Sequence, residues 1–249
     1  MLFRSKNFPS GKNAEYLTKW VTNTRAQLFN DAVKAKNSDA MIRLGNEALA
    51  AEPQNLDYLM LLIYNLSTNE LYANPRNNNH AAETGEFSRR AIKLVEAGSQ
   101  PATATKWNKD ESLSYLYQIL GTIEEQNKNI DHALECYVKA GTLDPLNVNS
   151  FFSSGRIYQE RYLKAADQFR ALPDADRNAA EPSPKTKALL KEANDAADAT
   201  IDSWVKFLKL TATNNAYGAA RDEVLKTVEE LYKYRHPDSP DGFQQLIKP

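Results

Sequence analysis

Apolar side chains recur every three to four positions along most of the chain, with polar residues between them. In residues 12–36, for example, the repeating positions are Leu17, Trp20, Val21, Thr24 and Leu28. This spacing puts the side chains on one face of an α-helix, which turns once every 3.6 residues. No segment shows the strict alternation that is typical of a half-buried strand. The pattern therefore predicts an all-α protein.

The same period predicts a series of further helices joined by polar turns. They cover residues 40–51, 56–71, 80–96, two short helices within 114–147, then 148–172, 185–211 and 217–234. Segments rich in Asn, Gly, Pro, Asp or Thr interrupt the series and predict loops at 72–79, 98–110 and 173–184.

Residues 114–147 carry the most informative pattern, because small and large apolar residues stand at set places around one turn. The key positions are Tyr117, Leu120 and Gly121 on the first helix, then Ala133, Tyr137 and Ala140 on the second, followed by Pro145. This combination resembles the tetratricopeptide repeat, a helical hairpin of about 34 residues. A second match at 39–55 ends in Glu52-Pro53-Gln54-Asn55, which parallels Asp144-Pro145-Leu146-Asn147.

The resemblance implies the fold and its division along the chain. A helical hairpin cannot bury its apolar face alone, so hairpins stack, and small side chains are needed where helices cross. The expected fold is an all-α, right-handed solenoid of antiparallel helical hairpins. We expect degenerate hairpins in residues 12–172, a loop at 173–184 and a long C-terminal helical pair at 185–249 that caps the stack.

The resemblance also implies a partner-binding surface, because in this family the first helix of each hairpin lines the concave face. The implied contact residues are Met60, Tyr64, Tyr115, Gln118, Thr122, Phe152, Arg156 and Gln159. Aromatic, Met and Arg side chains are typical of protein interfaces. Met60 and Tyr64 fit equally well as core residues beneath the next repeat, so both interpretations stay open.

One well-known form of the fold grips a C-terminal carboxylate with Lys and Asn side chains. The matching places in this chain hold Gln118, Thr122 and Ser153. A receptor for chaperone tails is therefore not expected.

Charge and hydropathy narrow the classes of partner. The 249 residues include 31 basic and 32 acidic side chains, so no broad attraction to nucleic acid or anionic membranes is expected. The longest apolar run, YLMLLIY at 58–64, is far shorter than the roughly 20 residues of a membrane span. A soluble protein is expected. The compartment stays open between the cytoplasm and, if an export signal precedes the sequence, the periplasm.

The first residues form a separate expectation. Leu2-Phe3-Arg4-Ser5 is what a common sequencing-adapter end encodes when it is read in frame. We therefore expect residues 1–11 to be disordered or artefactual, with the natural N-terminus elsewhere.

Residues with catalytic or metal-binding potential are few and scattered. The three histidines, His80, His132 and His236, lack the spacing of metal ligands. Cys136, the single cysteine, excludes an internal disulfide and is expected to be a buried, inert thiol. No phosphate-binding loop or nucleophile elbow is present. The chain is expected to need no metal or cofactor and to have no catalytic activity.

The leading functional hypothesis is a protein–protein interaction scaffold that binds a peptide or partner helix on the concave face. The C-terminal run VEELYKYRH resembles the tails of uncharacterised bacterial tetratricopeptide proteins, which have no assigned activity. One alternative is a structural subunit that self-associates through edge or tail surfaces. Phe243, Leu246 and Ile247 either pack back onto the last helix or, if exposed, favour this alternative. Another is an enzyme whose site carries no known motif.

Overall fold

The computed structural model describes residues 13–239 and 242–248. All regular elements in these ranges are helical, which confirms the predicted all-α class. The expectation for residues 1–11 lies outside the described part of the chain. Two compact units make up the chain, Met1–Ile123 and Glu124–Pro249.

The first unit is a succession of helices joined mostly by short turns. Its helices are α1 (Ala14–Lys34), α2 (Ser38–Ala51), α3 (Leu56–Leu66), α4 (Ala81–Glu96) and α5 (Lys109–Gln126), whose last residues belong to the second unit. A π-helical turn, Ser67–Leu71, extends α3. Helix α2 packs against both α1 and α3, and α3 packs against α4. Each short turn reverses the chain, so neighbouring helices form hairpins.

Asparagine side chains fix where several helices begin. Asn37 Oδ1 accepts the N–H of Ala40 at 3.0 Å, and Asn55 Oδ1 accepts that of Tyr58 at 3.1 Å. In the second unit, Asn147 Oδ1 caps its helix in the same way. These bonds satisfy backbone donors that have no partner within the helix. The repeated acid-Pro-x-Asn pattern is therefore a turn followed by an N-cap.

The inner face of α3 is part of the buried interior of the first unit. Leu59, Leu62, Ile63 and Leu66 are fully buried. Gly45 of α2 lies directly against Leu62, and a Cβ atom at this glycine would stand 2.6 Å from Leu62 Cδ1. The two helices therefore cross closely at this glycine.

The second unit is dominated by two long helices. It contains α6 (Ile130–Leu143), α7 (Val148–Arg170), the short α8 (Asp174–Arg177), α9 (Pro184–Leu210), a 3₁₀ turn (Asn215–Tyr217), α10 (Gly218–Arg235) and α11 (Gly242–Leu246). Helix α7 packs along α9 and also contacts α6, while α10 packs against α9. Ala133, Tyr137 and Ala140 of α6 are buried, as the repeat pattern predicts. The predicted loop at 173–184 contains the single helical turn of α8.

The C-terminal tail closes the core of the second unit. Phe243 is 1% exposed, lies 5.8 Å from the ring of Tyr232 and belongs to the cluster around Trp204 and Phe207. Ile247 packs against the same cluster, whereas Leu246 remains 37% exposed. Of the two open alternatives for the tail, packing onto the unit's own core is what Phe243 and Ile247 show, and Leu246 is the most exposed of the three.

None of the helices in the described ranges has both the length and the apolar character needed to cross a membrane.

Candidate partner-binding groove

An apolar groove of about 680 Å³ opens on the first unit. Its volume falls within the range of natural binding pockets, roughly 300–1,000 Å³. Helices α1, α3 and α5 and the loop after α4 form the walls. The lining includes Phe29, Asn30, Tyr58, Met60, Leu61, Tyr64, Pro101, Ala102, Thr103 and Tyr115.

Helix α3 supplies most of the groove because it is apolar on opposite faces. Its inner face is buried in the core, while Met60, Leu61 and Tyr64 lie on the groove side. Tyr64 is 59% exposed and Met60 is half-buried. An exposed aromatic side chain on a helix that is already anchored in the core is free to contact a partner. Tyr64 is thus a surface residue, which removes the interpretation of this side chain as core.

The rings of Phe29 and Tyr58 form the floor beside α1. Their centroids are 5.9 Å apart and their planes are nearly perpendicular, at 83°. This edge-to-face geometry is a favourable arrangement of two aromatic rings. Phe29 is 1% exposed and Leu28 is 49% exposed, so the predicted apolar face of α1 is displaced by one residue in this half of the helix.

Asp57, at the start of α3, fastens the loop that forms the opposite wall. Its carboxylate accepts the N–H groups of Ala102 at 2.8 Å and Thr103 at 3.0 Å, as well as the hydroxyl of Thr103. Partial burial raises the pKa of the Asp57 carboxyl, but these hydrogen bonds outweigh that effect and place the pKa below its ordinary value. The bonds favour the ionised form because a carboxylate is the better acceptor.

We expect Asp57→Asn to release this loop. An amide group would present N–H to at least one donor, so one of the bonds from Ala102 and Thr103 is lost. The protection of these two amides from hydrogen exchange should fall about tenfold, as expected when one charge-assisted hydrogen bond of about 1.5 kcal/mol is lost. Hydrogen exchange followed by NMR would measure this loss of protection. Asp31→Asn is the control, because Asp31 is an exposed residue of α1.

The same hydrogen bonds predict that the loop around Ala102 and Thr103 is held less firmly in acidic solution. A carboxyl whose pKa is lowered in the folded state stabilises that state above its ordinary pKa, about 3.9, and the contribution is lost as the pH falls through the lowered value.

Equal exchange rates for Ala102 and Thr103 in wild type and Asp57→Asn would show that Asp57 does not hold the loop.

The π-helical turn positions the hydroxyl of Tyr115 on the far wall. Ser67 Oγ and the Tyr115 hydroxyl are 2.9 Å apart and share a hydrogen bond. Burial raises the pKa of Tyr115 to about 12, so the hydroxyl stays protonated at physiological pH. The bond joins α5 to the end of α3, and it keeps the ring of Tyr115 at the groove.

Gln118 and Thr122, predicted as contact residues, are 7% and 8% exposed. Gln118 Nε2 donates to the Tyr72 hydroxyl at 3.0 Å, and Thr122 also hydrogen-bonds this hydroxyl. Their expected exposure is wrong, because the loop after the π-turn folds over this side of α5. They support the wall from behind and do not reach the groove.

The remaining predicted contact residues, Phe152, Arg156 and Gln159, lie on α7 in the second unit. The Phe152 ring packs at a tilt against that of Phe207, with the centroids 5.2 Å apart. The backbone carbonyl oxygen of Phe152 accepts the Trp204 indole N–H. Arg156 pairs with Glu125 at 2.6 Å and with Glu160 at 2.9 Å. Gln159 is partly exposed. Phe152 therefore lies at the edge of the core, and Arg156 is already paired.

Several groove residues have no signal in the repeat pattern. Asn30 follows the buried Phe29, and Pro101, Ala102 and Thr103 belong to a segment whose composition predicts only a loop. The place of Ala102 and Thr103 in the groove depends on Asp57, which lies forty-five and forty-six residues away along the chain. The described residues contain no cluster of three or more His, Cys, Asp or Glu side chains arranged for a metal ion.

Comparisons with known proteins give a distant structural likeness. No model of a known protein family matches the chain, and no curated protein matches its sequence. Two crystal structures of MamA are similar to it, each with 13% sequence identity. One has a TM-score of 0.43 and covers 85% of this chain and 96% of its own, and the other has 0.45, 88% and 94%. At this similarity the likeness transfers no residue, partner or activity.

Proposed function

We propose that the chain is a non-catalytic binding protein of the tetratricopeptide type, which holds a segment of a protein partner in the groove on its first unit. The observation that carries this proposal is the groove itself. Exposed Tyr64 and Leu61 lie on a helix anchored in the core, and the hydrogen bonds that Asp57 accepts and Ser67 shares with Tyr115 fix the walls around them. A preformed apolar site lowers the cost of ordering on binding.

The lining favours an apolar anchor on the partner. Met60, Leu61 and Tyr64 offer aliphatic and aromatic surface, and no basic side chain is among the lining residues in the described ranges. A carboxylate would therefore find no cation in the groove. Exposed Asn30 at the rim can pair with the partner's backbone. A peptide or helix that presents apolar side chains fits this surface best.

Arg156 and Gln159 on the second unit remain proposed contacts of lesser weight. Arg156 would have to exchange its pairing with Glu125 or Glu160 for a bond to the partner. Phe152 would contribute little direct contact because its ring packs against Phe207.

Peptide display against the purified protein, followed by fluorescence anisotropy on the selected peptides, tests the proposal. Tyr64→Ala should weaken the best peptide at least about tenfold, which corresponds to an interface contribution above about 1.4 kcal/mol. Tyr16→Ala is the matched control, because Tyr16 is 69% exposed on a helix of the same unit and lies outside the groove. Both variants should retain the wild-type helicity.

Equal affinities for wild type, Tyr64→Ala and Tyr16→Ala would place binding elsewhere and contradict the proposed groove. Failure to select any peptide that binds in the groove would also count against the proposal.

A further inference from the structure

His80, at the start of α4, lies between two carboxylates from different elements. Its Nδ1 atom is 2.7 Å from Glu70 Oε1 in the π-turn, and its Nε2 atom is 3.1 Å from Asp39 Oδ1 at the start of α2. The backbone N–H of His80 also donates to Glu70 Oε2 at 3.1 Å. One imidazole ring thereby connects α2, the π-turn and α4.

The hydrogen bonds define the charge of this ring. An ionised carboxylate only accepts hydrogen bonds, so both ring nitrogens must carry protons for both contacts to form. The imidazolium is therefore the form that matches the geometry. Burial lowers the pKa of His80, but the contacts with Glu70 and Asp39 outweigh it, and the pKa is raised above the ordinary value. Arg76, in the adjoining loop, acts on Tyr72.

The π-turn connects this histidine to the groove. At one end of the turn Glu70 binds His80, and at the other end Ser67 binds the Tyr115 hydroxyl. The N–H of Tyr72 closes the turn on the carbonyl oxygen of Ser67 at 2.9 Å. A π-helical turn is a local departure from regular helix that is frequent at functional sites. Any loosening of Glu70 acts on the same five-residue segment that holds Tyr115.

We infer that Asp39, His80 and Glu70 form a pH-sensitive clasp that fixes the π-turn and, through Ser67 and Tyr115, the groove. The clasp is closed while His80 is protonated. As the pH rises and the ring loses a proton, one ring nitrogen faces a carboxylate without a hydrogen atom between them. The π-turn then loses part of its support. The regulation of binding rests on the proposed function, whereas the clasp itself does not.

The sign of the pH dependence follows from the direction of the pKa shift. A histidine whose pKa is raised on folding stabilises the folded state fully below its ordinary pKa, about 6.5, and the contribution disappears as the pH rises through the raised value. We therefore expect the π-turn to be most stable in mildly acidic solution. Affinity at the groove should fall about fivefold between pH 6 and pH 9, the effect of losing one hydrogen bond of ordinary strength.

The first test is an NMR titration of the histidine rings in the full chain. The three histidine signals are assigned with His80→Gln, His132→Gln and His236→Gln. His80 should titrate above the model-peptide value of about 6.5. At pH 6, hydrogen exchange of amides 67–80 should be faster in His80→Gln than in wild type, and at pH 9 the two should agree. His132→Gln is the matched control, because its ring is largely exposed in the second unit.

The second test measures the groove with a fixed probe, the dye 1-anilinonaphthalene-8-sulfonate. Wild type should bind the dye about fivefold more weakly at pH 9 than at pH 6, as for any loss of one ordinary hydrogen bond. His80→Gln should show no such change, and Tyr64→Ala should bind the dye weakly at both values.

The two tests separate the inference from the proposed function. An ordinary or lowered pKa of His80, or an exchange difference that persists at pH 9, would overturn the clasp whatever the dye does. If Tyr64→Ala binds the dye as tightly as wild type does while His80 titrates as expected, the clasp stands but the groove is not the binding site. If His80 titrates as expected while the affinity of the groove stays constant, the proposed coupling between the clasp and the groove is wrong.

Discussion

Gly155→Ala should lower the free energy of unfolding by about 3 kcal/mol, because overpacking a core costs about 1–3 kcal/mol and an orphaned buried donor costs about as much. A Cβ atom at Gly155 would stand 2.3 Å from Trp204 Cδ1 and 2.4 Å from Nε1. The indole would have to move, and its hydrogen bond to the Phe152 carbonyl oxygen would break. The higher helix propensity of alanine offsets only about 1 kcal/mol.

Gly85→Ala is the matched control for this substitution. Gly85 also lies inside a helix and is buried, but its nearest neighbour would be the flexible end of Arg89 at 3.4 Å. Alanine there should be neutral or stabilising by up to about 1 kcal/mol. Urea denaturation followed by circular dichroism would compare the two variants. Equal stabilities would show that α7 and α9 do not approach each other as closely at Trp204 as the structure has them.

Phe243→Ala should destabilise the protein by about 3 kcal/mol, the lower end of the cost of removing a buried phenylalanine ring. Phe243 joins the short α11 to a core formed by α9 and α10, and its loss leaves a cavity beside Tyr232. Thermal denaturation would measure the change. Leu246→Ala is the control in the same helix, because Leu246 is partly exposed, and it should change stability by less than about 0.5 kcal/mol.

The same pair of variants addresses the structural alternative. Self-association through the tail requires apolar side chains that are available to another molecule, and Phe243 is buried within its own unit. Sedimentation should therefore give concentration-independent masses for wild type and Leu246→Ala. The tail would be favoured as an association surface if the wild-type mass rises with concentration and the mass of Leu246→Ala is lower than that of wild type. The melting temperature of Phe243→Ala would then also have to equal that of wild type.

The helices were predictable because their signals are local. The 3.6-residue period and the Pro-x-Asn turns depend on residues within a few positions of each other, and the structure confirms them as helices and N-caps. The small residues of the repeat were also predictable, since Ala133 and Ala140 are buried where helices pack. Local chemistry therefore accounts for the fold class.

The groove was only partly predictable because long-range contacts shape it. Asp57 meets Thr103, and Gln118 meets Tyr72, across more than forty residues of sequence. Helical period places Gln118 on a face of α5 but contains nothing about the loop that covers it. The clasp around His80 has the same origin, since Asp39 is forty-one residues away.

The most direct test of the central claim follows the methionine methyl groups by NMR while a display-selected peptide is added. The chain contains three methionines, of which Met60 lines the groove and Met41 is fully buried in the same unit. We predict that the Met60 signal shifts in proportion to the bound fraction while the Met41 signal stays in place. A saturated complex in which the Met60 signal does not move would contradict binding in the groove.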